Sequence, residues 1–318
     1  MVTMGSGDYT YEPVEDWAKL PPGWTFKEIG GVGVDSNDNV YVFNRGEHPM
    51  IVFDRDGNFI RSWGEGIFPR AHGVFVAPDQ TLWLTDDADH TVRQCTPEGK
   101  ILLTLGISGK PAPYMSGEPF HRCTHTAMAP NGDIYVSDGY GNARVHKYAP
   151  DGRLLLSWGA SGTDEGQFNI AHNITCDADG WVYVADRENH RVQVFNGDGK
   201  YETQWNNLHR PCGIFMPAGK CPVCYIGELG PVQRVNRDAP NLGPRVTIVD
   251  NNGKRLARLG GICAGLGADQ FLAPHGLCVD SRGDIYVGEV SWTQWPQLFP
   301  KDPMPHDLRS LRKFRKVG

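Results

Sequence analysis

The chain of 318 residues lacks any run approaching the ~18 consecutive apolar residues of a membrane-spanning helix, and a membrane partner is not expected. Its first 22 residues are polar and acidic, without the apolar stretch of an export signal. Cysteine is scarce: 8 in 318 residues are too few for a disulfide framework. Without an export signal they read as reduced thiols, and a cytoplasmic location is expected. Basic charge is not in excess either. Lys+Arg 31 against Asp+Glu 37 gives a net charge of −6 with no basic stripe, which argues against a nucleic-acid partner. The basic tail at 309–316 reads as a last strand. No segment keeps a helical period, so a helical solenoid is a poor fit. Nothing in the sequence marks an oligomeric state.

Turn formers and core formers are abundant. The chain has 39 Gly and 23 Pro, while 40% apolar residues can fill a large core. A repeat organises them. Gly31-Val-Gly-Val-Asp-Ser-Asn-Asp-Asn-Val-Tyr-Val recurs as copies opening at His72, His125, His172 and His275, with a degenerate copy at Cys212. Each copy is a strand, a tight Asn/Asp/Gly turn and a second strand. A third strand, a turn and a fourth strand follow, clearest from Asp186 to Trp205. Closing turns at Asp56-Gly57, Glu98-Gly99, Asp151-Gly152, Asp198-Gly199 and Asn252-Gly253 lie 42, 53, 47 and 54 residues apart. Four strands per unit of that length is the arithmetic of a propeller blade. Six copies predict an all-β, six-bladed propeller over residues 24–318, with 1–23 as an N-terminal extension. The ring is expected to close where a strand at Trp24 to Ile29 shares a blade with a C-terminal strand at Leu311 to Val317. Two long stretches, 108–122 and 289–307, break the rhythm, and their aromatics favour an ordered cover.

His72, His125, His172 and His275 open four of the six copies. The first strand of a propeller blade lines the central channel, so residues at one phase of the repeat converge on the axis. Three neutral imidazoles with an open fourth position describe a catalytic zinc site. The alternative for each is a histidine that caps a turn or bonds a backbone carbonyl. Asp86-Asp87-Ala88-Asp89-His90 resembles a metal cluster, but its register matches Asp138 and Asp186, so a turn carboxylate fits better. Cys221 and Cys224 have CxxC spacing without a second pair and read as incidental. Cys123, Cys176, Cys212 and Cys278 read as small core residues, and Trp63, Trp158 and Trp205 as packing on the fourth strands.

With these residues in register, the chain resembles the peptidyl-α-hydroxyglycine α-amidating lyases, six-bladed propellers of NHL repeats. The matching motifs are Val-Phe-Asn-Arg-Gly-Glu-His at Val42 to His48, Ala71-His72-Gly73, the segment Ile134 to Asn142, Val184 to Asn189 and Pro274 to Leu277. The resemblance implies a zinc ion on His72, His172 and His275, from the second, fourth and sixth blades. It further implies Tyr140, Arg45 and Arg187 as catalytic and substrate-binding groups. The implied reaction cleaves the N–C bond of a carbinolamide to an amide and glyoxylate. Arginine charge and the metal are expected to lower the pKa of Tyr140 toward phenolate. Taken alone, Tyr140 also fits a blade-edge aromatic, and the arginines fit ion pairs with Asp186, Glu188 or Glu47.

Departures from that family bear on the substrate. His125 replaces an acidic residue and is a candidate ligand, acid/base or substrate-binding group. Gly276 stands where the family has an Asp associated with a structural calcium, which leaves that cation open. Gly141 replaces a disulfide cysteine. The expected ligand is a small molecule, an α-hydroxy amide or related carbinol bound at the channel mouth. A hydrolase or hydratase, or a non-catalytic NHL scaffold that binds a protein, are the alternatives.

Overall fold

A computed structural model describes residues 2–217 and 223–318. Its strands form six antiparallel sheets arranged as a ring. The innermost strands are Ile29–Val34, Ala71–Val76, His125–Met128, Ala171–Cys176, Pro211–Phe215 and Pro274–Val279. Each packs against the next, and the sixth returns to the first, so the ring is closed. Within a blade the chain steps outward, as in Ala171–Cys176, Val182–Asp186, Arg191–Phe195 and Tyr201–Trp205. Second strands such as Val182–Asp186 are buried along their whole length because a neighbouring blade covers each face.

The turns explain why the same short sequence recurs. An Asp or Asn at the end of the first or third strand accepts backbone N–H groups two and four residues on. Asp35, Asp54, Asp177, Asp250 and Asp280 all do this, fixing the hairpin locally. The closing-turn glycines have positive φ, for example +94° at Gly99 and +76° at Gly199. A Cβ there would also meet the indole of the preceding blade, at 2.6 Å from Trp63 and 2.6 Å from Trp158 respectively. The fourth-strand tryptophans are thus inter-blade packing, as expected.

N- and C-terminal strands share the closing blade, as expected, but the N-terminal strands are not at Trp24 to Ile29. After Pro274–Val279, Ile285–Glu289 and Leu311–Lys316, the sheet continues into Tyr9–Val14 and Met4–Ser6. Residues 1–23, expected to lie outside the ring, therefore supply its outer strands, while Trp24 to Phe26 form none. The reason is local: Gly7-Asp8 makes a tight hairpin turn, Tyr11 is fully buried, and Pro13 sits opposite Phe314. The edge of Leu311–Lys316 is thereby covered, which is what a closed ring requires. The stretch 289–307 is ordered, as expected, but contains the helix Ser291–Leu298. Cys224 is buried, Cys221 lies outside the described residues, and the described cysteines are all free thiols.

Phe314 is fully buried at this seam, so Phe314→Ala is expected to cost about 3–5 kcal/mol in urea unfolding. Removing residues 2–14 should cost at least as much, because it strips Tyr11 and bares a strand edge. An unchanged unfolding midpoint after that deletion would contradict this closure.

Candidate metal centre and substrate cavity

In five blades the inner strand begins with a one-residue bulge that takes a single residue out of the ladder. These residues are Gly30, His72, His172, Cys212 and His275. In the third blade the same place falls to Thr124, whose amide donates to the Ser137 carbonyl at 2.8 Å. The three histidines come from alternate blades, and one nitrogen of each lies within 4.8 Å of the others. Their ring centroids are 4.6 to 5.0 Å apart.

The intervening blades orient them. Nδ1 of His72 bonds the Thr124 carbonyl at 2.6 Å, Nδ1 of His172 the Cys212 carbonyl at 2.8 Å, and Nδ1 of His275 the Gly30 carbonyl at 2.6 Å. A carbonyl only accepts, so each Nδ1 carries the hydrogen and each Nε2 keeps its lone pair. That is the tautomer a metal-ligating histidine needs. Burial, then the positive charge of neighbouring groups, pushes all three imidazoles well below their ordinary pKa, so they are neutral at pH 7. Three neutral imidazole nitrogens with no carboxylate suit zinc or another borderline ion. A structural calcium finds no acidic side chain one residue further along, where Gly31, Gly73, Asn173, Gly213 and Gly276 stand.

His125 does not join this cluster. It pairs with Ser137, as Gly73 pairs with Thr85 and Asn173 with Ala185, so it sits one residue past the bulge position. Its side chain belongs neither to the imidazole group nor to the cavity wall, and its Nδ1 has no partner. Burial lowers its pKa to about 4. His125, expected as ligand, acid/base or substrate contact, thus stands apart from both the imidazole group and the cavity wall.

Tyr140 does reach the centre. Its hydroxyl is 3.1 Å from Nε2 of His72 and 2.9 Å from Nε2 of His172. The following residue explains the loop. Gly141 donates to the His121 carbonyl at 2.9 Å and accepts from Met115 at 2.8 Å, and a Cβ there would lie 1.9 Å from the His121 ring. The stretch 108–122 thus props Tyr140 in place, and only glycine fits between them. Burial raises the pKa of Tyr140 and outweighs the Arg187 charge, which acts to lower it. The phenolate was expected from the arginines together with a metal, and without a metal burial dominates.

Arg45 and Arg187 occupy one phase, directly after the second strands Val40–Asn44 and Val182–Asp186. Arg187 pairs with Glu188 at 2.8 Å and its Nη1 lies 3.4 Å from the Tyr140 hydroxyl. Arg45 pairs with Glu28 at 2.8 Å and donates Nε to the Ala71 carbonyl at 2.8 Å, leaving Nη2 buried without a partner. Glu28 is depressed below its ordinary pKa: burial acts to raise it, and Arg45 outweighs that. Three further arginines were not singled out from the sequence. Arg70, Arg122 and Arg210 precede the bulge residues His72, Thr124 and Cys212 by two positions, a phase legible once the repeat is in register. Buried acids hold those leading loops: Asp86 accepts the Arg70 amide at 2.9 Å and Asp138 the His121 amide at 3.0 Å. Asp86 and Asp138 are thus turn carboxylates, as expected. The resulting cavity, about 210 Å³, borders His275, Tyr140 and the five arginines, with Thr293 and Gln294 of the helix Ser291–Leu298 also in its wall. Thr293 donates from both its amide and its hydroxyl to Glu28, each at 2.9 Å.

A six-bladed ring of short turn-rich repeats, with an axial histidine cluster, defines an NHL-type β-propeller. The chain belongs to the NHL-repeat family. The family profile described as NHL repeat matches residues 168–195. Human NHL repeat-containing protein 3 is 33% identical over 302 residues, covering 89% of this chain and 82% of the relative. Mouse peptidyl-glycine alpha-amidating monooxygenase is 30% identical over 357 aligned positions, covering 97% of this chain and 34% of that protein. Peptidyl-alpha-hydroxyglycine alpha-amidating lyase 1 of Drosophila melanogaster is 39% identical over 158 residues, 46% of this chain and 29% of the relative. Among solved structures, a streptogramin B lyase superposes with a TM-score of 0.60 at 12% identity, covering 96% of this chain and 97% of that one, a likeness of fold.

Two outcomes follow from this geometry. Protein saturated with zinc and desalted is expected to retain about one ion per chain, and His72→Ala, His172→Ala or His275→Ala should each lose most of it by elemental analysis. Equal metal in all four preparations would remove the centre. The second outcome concerns pH. An imidazole in an unfolded chain titrates at about 6.5, whereas burial lowers folded His125 to about 4. Between those values the unfolded chain binds a proton that the folded chain does not, so stability falls as pH drops through that window. His125→Asn should flatten this acid limb in urea titrations, and an unchanged slope would count against the burial of His125.

Proposed function

We propose that this chain is a metal-dependent carbon–nitrogen lyase that cleaves a small α-hydroxy amide in the cavity at the channel mouth. The observation that carries the reading is the convergence of three oriented Nε2 atoms with the Tyr140 hydroxyl within hydrogen-bond reach of two of them. Similarity to proteins named as amidating lyases and monooxygenases supports it. His72, His172 and His275 would hold one zinc ion, which supplies Lewis acidity toward a substrate oxygen.

The remaining chemistry falls to the chain. Arg45 and Arg187 present guanidinium edges to the substrate carboxylate, a geometry that favours two-point binding. In R–CO–NH–CH(OH)–COO⁻ the C–N bond breaks, the carbinol C–O becomes a carbonyl, and the products are R–CO–NH₂ and glyoxylate. The net proton movement is from the carbinol hydroxyl to the amide nitrogen. Tyr140 Oη is placed to carry it, giving its proton to nitrogen and taking the hydroxyl proton in return.

A hydrolase or hydratase would draw on the same metal, which lowers the pKa of bound water; the lyase reading is preferred because proteins named as amidating lyases are among the relatives. A non-catalytic scaffold gives no reason for three buried, neutral imidazoles facing one point, since buried polar groups are costly unless satisfied.

Incubation of the protein with α-hydroxyhippurate is expected to release glyoxylate, and Tyr140→Phe should lower kcat by about 10²–10⁴-fold. No release from α-hydroxyglycines by the parent protein, or an unaltered rate in the variant, would overturn the assignment.

A further inference from the structure

The cavity holds more positive charge than a single carboxylate calls for. Its five arginines answer to three carboxylates. Glu28 takes Arg45 at 2.8 Å; Asp87 takes Arg70 at 2.6 Å and Arg122 at 2.7 Å; Glu188 takes Arg187 at 2.8 Å and Arg210 at 3.0 Å. Two positive charges are left over, before any metal is counted. An excess of guanidinium groups lining one cavity raises the local potential and favours an entering anion.

The free donors lie in two places. Beside the Tyr140 hydroxyl, Arg187 extends Nη1, and Arg45 has a buried Nη2 with no partner. On the Asp87 side, one oxygen, Oδ2, takes Nη1 of Arg70 together with Nε and Nη2 of Arg122. That leaves Nη2 of Arg70 and Nη1 of Arg122 for a second ligand. Both of these side chains remain partly open, at 33% and 40% exposure. Arg122 is held at φ +62°, as Ile170 and Arg210 are at +67° and +55° in the same place of their blades, so the repeat's leading loop sets the direction of this side chain. The two sets share one aromatic ring: the Cζ atoms of Arg122 and Arg187 lie 4.9 and 5.5 Å from the Tyr140 centroid. Near them Gln294, itself buried, presents an Oε1 with no partner, an acceptor for a ligand N–H or O–H. The volume of about 210 Å³ sits below the 300–1,000 Å³ usual for drug-sized ligands, which suits a small ligand or the end of a longer one.

We propose that the substrate is a small dianion, with one carboxylate at the carbinol carbon against Arg45 and Arg187 and a second anionic group against Arg70 and Arg122. This rests on the reading of the cavity as the substrate site, and it narrows that reading from α-hydroxy amides in general to doubly charged ones. The arginine pair on Asp87 sets this specificity and takes no part in bond breaking.

The test is calorimetric titration of the purified protein with succinate and glutarate, against propionate and butyrate as monoanions of similar length. The parent is expected to bind the dicarboxylates at least about tenfold more tightly, the worth of a charge-assisted hydrogen bond. In Arg122→Gln and Arg70→Gln that preference should fall to within about threefold while the monoanions bind as before, and Arg122→Lys should keep part of it. Equal binding of both classes by the parent would overturn the proposal. So would a preference that survives both glutamine variants, since chelation by a metal would then account for it. Binding is read without turnover, which keeps the two readings apart. Glyoxylate release without dianion preference would leave the lyase standing and remove this inference; dianion preference without release would do the opposite.

Discussion

The centre depends on one bond made three times: the Nδ1–H of an axial histidine given to a backbone carbonyl of the next blade. Each bond fixes a tautomer, a ring orientation and the spacing between two blades. The division of labour alternates around the ring. Even-numbered blades supply an imidazole at the bulge, while odd-numbered blades supply Gly30, Thr124 or Cys212 there and contribute only the carbonyl. A sixfold scaffold thereby yields a threefold site. At Gly30 a Cβ would stand 2.3 Å from the Ala71 carbonyl, so the close approach of the first and second blades leaves no room for a side chain.

The surrounding lip is built on the same repeat. Buried acids at the ends of the second strands seize the amides of the leading loops, and those loops place Arg70 and Arg122 at the rim. Further out, the stretch 108–122 braces Tyr140 through Gly141, and the helix Ser291–Leu298 braces Arg45 through Glu28. The two insertions that interrupt the repeat thus each support one functional side chain. The N-terminal hairpin secures the whole from outside, since a ring held open at its sixth blade would not keep His275 beside His72.

Much of this was legible in the sequence because it obeys a period. The blade count, the closing glycines, the fourth-strand tryptophans and the convergence of axial histidines follow from spacing, while the choice of His72, His172 and His275 among the four came from the family resemblance. The errors arise where spacing was read one residue loosely or where no period exists. His72, His172 and His275 each stand fourteen residues before the acid that ends the next strand, but His125 stands thirteen before Asp138. That single residue turns it off the axis. The closing hairpin at Gly7-Asp8 was missed because one copy of a turn makes no pattern. The burial of Tyr140, which acts to raise its pKa against the arginine charge, was not legible because it depends on the packed fold.

The central claim is that three imidazoles from alternate blades share one ion. X-ray absorption at the zinc edge of the zinc-loaded protein tests it most directly. A first shell containing three imidazole nitrogens at about 2.0–2.1 Å is expected, with the outer-ring scattering that histidine produces. A shell of oxygen alone, or of one imidazole with water, would contradict it.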